Sequence, residues 1–194
     1  LGGHVRAVRM LLDKGANVNF QEPDSGMTPL MRAAQGAHTQ VVQILLEKEP
    51  ELEFTSTEGG GTALHFAAQS YQPLMVEMLL AKGANVNARL ENQVTPLMLA
   101  AVMNSVWSIE LLVEHGAELE ATRENGMTAL MRAAHNGRPQ AVQALLAKGA
   151  NVEATSSMGT ALDIARHQGH QEIVDLLSCI GTMPNSHRSL KYRA

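Results

Sequence analysis

Eight histidines, one cysteine and a run of three glycines are the groups in this 194-residue chain whose type and spacing could do chemistry. His167 and His170 stand three apart, a spacing that lets two imidazoles reach one metal ion from a single helix face. Gly169 lies between them, however, and marks a turn between two helices, so the rings should not share a face. No zinc site, and no cofactor, is expected. Gly59-Gly60-Gly61 could in principle turn backbone N–H groups toward a phosphate. A P-loop needs a Lys-Ser or Lys-Thr after the glycines, and none follows, so a plain turn is expected. Cys179 has no His or Asn arranged around it in sequence and is expected to be packed and inert. No set of nucleophile, base and oxyanion donors emerges, and the expectation is a chain without catalysis of its own.

Composition narrows the remaining classes. The formal charge of −4 is mild and argues against nucleic acid, which requires an excess of Lys and Arg on one face. The least polar stretch, residues 96–102, is far too short to cross a bilayer. A single cysteine rules out an internal disulfide and fits cytosol or nucleus. No signal peptide opens the chain, and residue 1 is Leu, which leaves open where the natural chain starts.

The elements that must position any site repeat. Thr28-Pro29-Leu30-Met31, Thr62-Ala63-Leu64-His65, Thr95-Pro96-Leu97-Met98, Thr128-Ala129-Leu130-Met131 and Thr160-Ala161-Leu162-Asp163 start 34, 33, 33 and 32 residues apart. Gly15-Ala16, Gly83-Ala84, Gly116-Ala117 and Gly149-Ala150 keep the same beat, with Glu49-Pro50 in the remaining slot. A constant step in the low thirties predicts a solenoid of stacked units, an all-α fold that points to binding.

In one unit, Asn125-Gly126 is a turn, Thr128 an N-cap and 129–134 a short helix. Pro29 and Pro96 suit the first helical position of sister units. Asn136-Gly137 breaks that helix. A second helix over about 139–148 carries Ala141, Val142, Leu145 and Leu146 as an apolar stripe and stops at Gly149. An extended finger follows. Such helices are too short to stand alone, so stability lies between neighbours.

Gly126-Met127-Thr128-Ala129-Leu130-Met131-Arg132-Ala133-Ala134, Gly169-His170-Gln171-Glu172-Ile173-Val174-Asp175-Leu176-Leu177 and Gly83-Ala84-Asn85-Val86-Asn87-Ala88 resemble the ankyrin repeat family. The resemblance covers roughly residues 2–180. It implies stacked helix-turn-helix units with β-hairpin fingers at one edge. The array is then 1–181, with a partial first repeat 1–21 and repeats at about 22–55, 56–88, 89–121, 122–154 and 155–181. Residues 182–194, polar and without apolar periodicity, read as a tail or linker. The resemblance gives His65 and His170 structural roles. It places Asn19 and Asn87 where asparaginyl hydroxylases modify some fingers. The first unit opens at its second helix, so an apolar face around Val8 and Leu11 should be bare unless something covers it. The finger at Glu49-Pro50 should be distorted.

Members of the family use the concave side, formed by finger tips and the inner faces of first helices. The groove-facing positions are then Arg32, Phe66, Leu99, Arg132 and Ile164, with Gln69, Met103, His135 and Asn136 near the helix ends. The resemblance implies a protein or peptide partner with apolar anchors over Phe66, Leu99 and Met103 and acidic groups at Arg32 and Arg132. Met27, Met31, Met98, Met127 and Met131 either adapt that surface or fill gaps between helices. For the two arginines the competing role is a salt bridge to a finger carboxylate. Trp107, at the start of a second helix, is either packed or a second contact surface on the convex side. The leading expectation is a recognition module of a scaffold, adaptor or regulator; the alternatives are a structural spacer or the regulatory segment of a larger enzyme or channel.

Overall fold

Each unit begins where a threonine caps its first helix. Thr28, Thr95, Thr128 and Thr160 accept through Oγ1 from the backbone N–H three residues on, at 3.2–3.4 Å. The reverse bond uses a different atom in different units. Thr28 N–H donates to the Met31 sulfur at 3.4 Å, Thr62 N–H to His65 Nδ1 at 3.2 Å, and Thr160 N–H to Asp163 Oδ2 at 3.0 Å. One orphan donor at the helix entry thus has three chemical solutions.

The computed structural model describes residues 4–181; residues 182–194 and the tail expected there lie outside the described residues. Eleven helices are present among the described residues: α1 Val5–Asp13, α2 Pro29–Gln35, α3 Thr39–Leu46, α4 Ala63–Gln69, α5 Pro73–Ala81, α6 Pro96–Val102, α7 Val106–Glu114, α8 Ala129–His135, α9 Pro139–Ala147, α10 Ala161–Gln168 and α11 Gln171–Gly181. They form two layers. The first helices α2, α4, α6, α8 and α10 touch their neighbours in one row, and α1, α3, α5, α7, α9 and α11 do so in the other. The core runs continuously between the rows through Ala33, Ala34, Ala67, Ala68, Ala100, Ala101, Ala133 and Ala134, all essentially inaccessible. Alanine at these sites lets short helices approach closely, which accounts for the 3% aromatic content.

Second helices end on glycine. Gly15, Gly83, Gly116 and Gly149 adopt φ between 84° and 95°, and the next residue's N–H returns to the carbonyl five residues earlier at 2.9–3.0 Å. In the second unit Glu49 takes the left-handed conformation, with φ of 50°, and Pro50 has no N–H to return. The expected distortion is therefore the loss of one closing bond plus a strained non-glycine residue.

The fingers are not hairpins with a strand ladder. Among the described residues the only bridge is Ser156 with Gly159. Successive fingers are joined instead by single backbone bonds, Thr57 N–H to Ser25 O at 2.9 Å, Glu91 N–H to Gly59 O at 3.1 Å and Ser157 N–H to Asn125 O at 3.3 Å. A further series of side-chain bonds joins the finger bases. Asn19, Glu53, Asn87 and Glu120 each accept, at 2.8–2.9 Å, from the backbone N–H of Glu51, Asn85, Glu118 and Asn151 respectively. The distorted second finger keeps its place in this series through Glu51.

Candidate functional site

The row of first helices carries one equivalent position per unit: Arg32 on α2, Phe66 on α4, Leu99 on α6, Arg132 on α8 and Ile164 on α10. These five do not share one fate. Phe66 is half-buried, and its ring lies so close over Gly61 that a Cβ there would meet ring carbons at 3.1–3.2 Å. Gly61 is thus part of the bed for an aromatic ring, and the triple glycine serves turn and packing. Leu99 is only 6% exposed and Ile164 is fully buried, so neither can anchor a partner. Leu99 sits mid-row between helices that present the larger Phe66 and Arg132 at the matching positions, and it is covered as core.

Arg32 is already neutralised. Its Nε donates to Glu22 Oε1 at 3.0 Å, Nη2 pairs with Glu22 Oε2, and Nη1 reaches Gln35 Oε1 at 3.2 Å. Bonds first from Arg32 and then from Ser25 hold the Glu22 carboxyl down at about 2. The salt-bridge role expected as the competing one is what the geometry gives Arg32.

Arg132, at the same position three units later, has no such partner. In sequence register Thr122 aligns with Glu22, Asn125 with Ser25 and Arg123 with Pro23, but in the turn it is Arg123 that makes the two backbone bonds Glu22 makes in the second unit. The Nε atoms of both Arg123 and Arg132 are buried without a hydrogen-bond acceptor, and neither guanidinium has an ion pair among the described residues. Burial, and then the Arg123 charge, press the Arg132 guanidinium below its ordinary value. It still carries its proton at neutral pH.

The helix ends supply the remaining accessible groups. Gln69 and Asn136 are exposed, while Met103 and His135 are partly so. Asn136 Nδ2 donates to the Arg132 carbonyl at 2.8 Å, and the His135 carbonyl pairs with His170 Nε2 at 3.1 Å. His170 is therefore a tie between the last two units. A Cβ on Gly137 would strike its ring at 2.8 Å. The five methionines Met27, Met31, Met98, Met127 and Met131 are all buried, so they fill gaps and offer no adaptable surface. Among the described residues no group of His, Cys, Asp and Glu is placed to hold a metal ion. Cys179, expected to be packed, is exposed on α11.

Apolar surface lies elsewhere as well. Trp107 on α7 is 63% exposed, and Leu74 holds the equivalent position on the adjoining α5, with Tyr71 exposed before it. At the other end a cavity of about 230 Å³ opens between α1, α2 and α3, lined by Val8, Leu11, Leu12, Pro29 and Val41 among others. This is the bare face expected around Val8 and Leu11.

The stacked helix pairs and their shared finger ties are matched in sequence by the ankyrin repeat pattern, which fits three times, over residues 1–90, 50–123 and 97–187. The chain belongs to the ankyrin repeat family. No curated protein matches it. Ankyrin repeats are in general protein–protein interaction modules, and no helix of the described ankyrin array is long and apolar enough to cross a membrane. Two residues important to this reading escaped sequence inspection. Arg123 lies in a loop position that varies between ankyrin units. Glu22, its counterpart in effect, is a finger residue whose link to Arg32 spans ten positions. An aligned comparison of the two units, Glu22 with Thr122 and Pro23 with Arg123, carries the signal.

Proposed function

We propose that this ankyrin array is a recognition module, the binding part of a scaffold, adaptor or regulator in cytosol or nucleus, and that it does no chemistry itself. An extended peptide or loop of a partner protein lies along the row of first helices. Phe66 and Met103 give it apolar contact, Gln69, His135 and Asn136 give it polar contact, and Arg132 meets an acidic group. The observation that carries this reading is the contrast along the row: Arg32 is spoken for by its own finger, whereas Arg132 is charged, half-buried and without an acceptor. A spacer has no reason to keep such a charge uncompensated.

The test is selection of peptides from a random display library on the purified array, followed by binding to a folded Phe66→Ala/Met103→Ala/Arg132→Glu variant. Loss of at least tenfold in affinity supports the groove. Equal binding to both proteins overturns it and moves recognition to the fingers or to the convex side at Trp107.

A further inference from the structure

The two units that carry an arginine at the groove position form an internal experiment. In the second unit the arginine fork holds a carboxylate, with Glu22 accepting from both Nε and Nη2 of Arg32. The fifth unit puts Arg123 where that turn has Glu22, one residue out of sequence register: in the second unit it is Glu22 N–H that donates to Met27 O at 3.0 Å and Glu22 O that accepts from Gly26 N–H at 2.8 Å. Gly126 N–H closes onto Arg123 O at 2.9 Å and Arg123 N–H onto Met127 O at 3.2 Å, so the loop bearing Arg123 is tied in place ahead of α8. The acceptor alone is missing. In its place stands Arg123, whose Nε, like that of Arg132, is buried without a hydrogen-bond acceptor; its charge also presses on that of Arg132.

Two like charges on half-buried side chains, each with a buried Nε–H left unpaired, cost stability unless something of opposite sign joins them. Other described arginines show that the chain supplies carboxylates or carbonyls readily. Arg89 reaches Glu118 at 3.0 Å, and Arg138 Nε donates to Val102 O at 2.8 Å.

We propose that Arg123 and Arg132 form the seat for a carboxylate side chain of the bound peptide. The seat stands in the place that Glu22 fills internally in the second unit. This inference rests on the groove reading and adds to it the identity of one anchor. It also gives spacing. Adjacent helices pack about 8–10 Å apart, so Phe66 on α4 and Arg132 on α8 are separated by two such steps. An extended chain covers that in about five or six residues. A ligand should therefore carry Asp or Glu about five or six positions from its apolar anchor, and Arg32 should contribute nothing to its recognition.

The test follows the arginine Nε–H resonances of the whole chain by NMR. The probes are a capped tri-glutamate peptide, a capped tri-glutamine peptide and inorganic phosphate. Saturable shifts at Arg123 and Arg132 with tri-glutamate, absent with tri-glutamine and absent at Arg32, support the seat. R123Q should weaken tri-glutamate binding about tenfold, as expected for one charge-assisted bond, with an unfolding midpoint no lower than that of the parent. No shift, or equal shifts at all arginines, would overturn it. Saturation by phosphate at lower concentration than by tri-glutamate would assign the seat to a phosphate group and overturn the carboxylate. A lowered midpoint with unchanged binding would make the pair a packing element and overturn it too. Display-selected peptides that bind an R123Q/R132Q variant unchanged would sink the seat, and a Phe66→Ala/Met103→Ala variant that keeps both arginines would then decide the groove reading separately.

Discussion

Asn87 Oδ1 accepts from the backbone N–H of Glu118 at 2.9 Å, while its Nδ2 donates to the Gly116 carbonyl at 3.1 Å. One side chain thus pairs two backbone groups of the next unit, at the point where α7 turns into its finger. In a solenoid such a bond belongs to the interface term that couples neighbours. Asn87→Ala is predicted to destabilise the array by about 1 kcal/mol. Asn87→Asp, which keeps the acceptor and loses the donor, should cost less. Denaturant unfolding of both variants checks the order. Equal midpoints for the parent and the alanine variant would show the bonds to be replaced by water at no cost.

His65 gives the fold a pH dependence. Burial holds its imidazole down at about 4 against an ordinary 6.5. The unfolded chain therefore takes up a proton at a pH where the folded one does not. Stability is full above about 6.5 and falls as the pH drops toward about 4, by up to about 3 kcal/mol from this one residue. His65→Met imitates the sister units, where the Met31 sulfur receives the Thr28 N–H. The Val94 carbonyl that faces Nε2 keeps its bond from Leu90 N–H at 2.9 Å. The variant should fold at neutral pH and lose much of the parent's acid sensitivity between those two values. Parallel stability-against-pH curves for both proteins would refute the assignment.

The period and the Thr-x-Leu and Gly-Ala markers were enough to read the stack, because each marker fixes a helix start or stop by local backbone chemistry. The expected first helix over 129–134 is α8, and the expected second over about 139–148 is α9. Cover is not a local property. Leu99 and Phe66 share a register position, yet Leu99 is core and Phe66 is half open, because cover comes from the neighbouring helices and not from the register itself. The partnering of Arg32 and the lack of it at Arg132 are likewise decided by finger residues ten and nine positions upstream, outside any helix pattern. For Met27 and Met127 the sequence leaves a surface role and a gap-filling role both open, and both side chains turn inward.

Trp107 is the chain's single tryptophan, and its 63% exposure gives the convex face a built-in reporter. Its fluorescence should resemble that of a solvated indole, with acrylamide quenching little changed by unfolding. A peptide seated in the groove should leave that quenching unaltered. Protection of Trp107 by the bound peptide would place the contact on the surface shared with Leu74 and overturn the concave assignment.

Glu49 holds a left-handed conformation that four sister positions give to glycine, and it does so where Pro50 has removed the usual closing N–H. A residue with a Cβ pays about 1–2 kcal/mol for this geometry, part of which glycine returns through its greater freedom when unfolded. Glu49→Gly is therefore predicted to stabilise the array by about 0.5–1 kcal/mol. The exposed Glu49 side chain makes no ion pair among the described residues that would be lost. A double variant that also replaces Pro50 by Ala restores the Gly-Ala pair of the other units. It allows an N–H bond to the Leu45 carbonyl, equivalent to Ala84 N–H on Leu79 O at 3.0 Å. Pro50 is buried, so the smaller alanine also leaves a space, and the second change should add less than the first. Thermal unfolding of the two variants measures both steps. A Glu49→Gly protein less stable than its parent would mean that glycine's freedom in the unfolded chain outweighs the relief of strain.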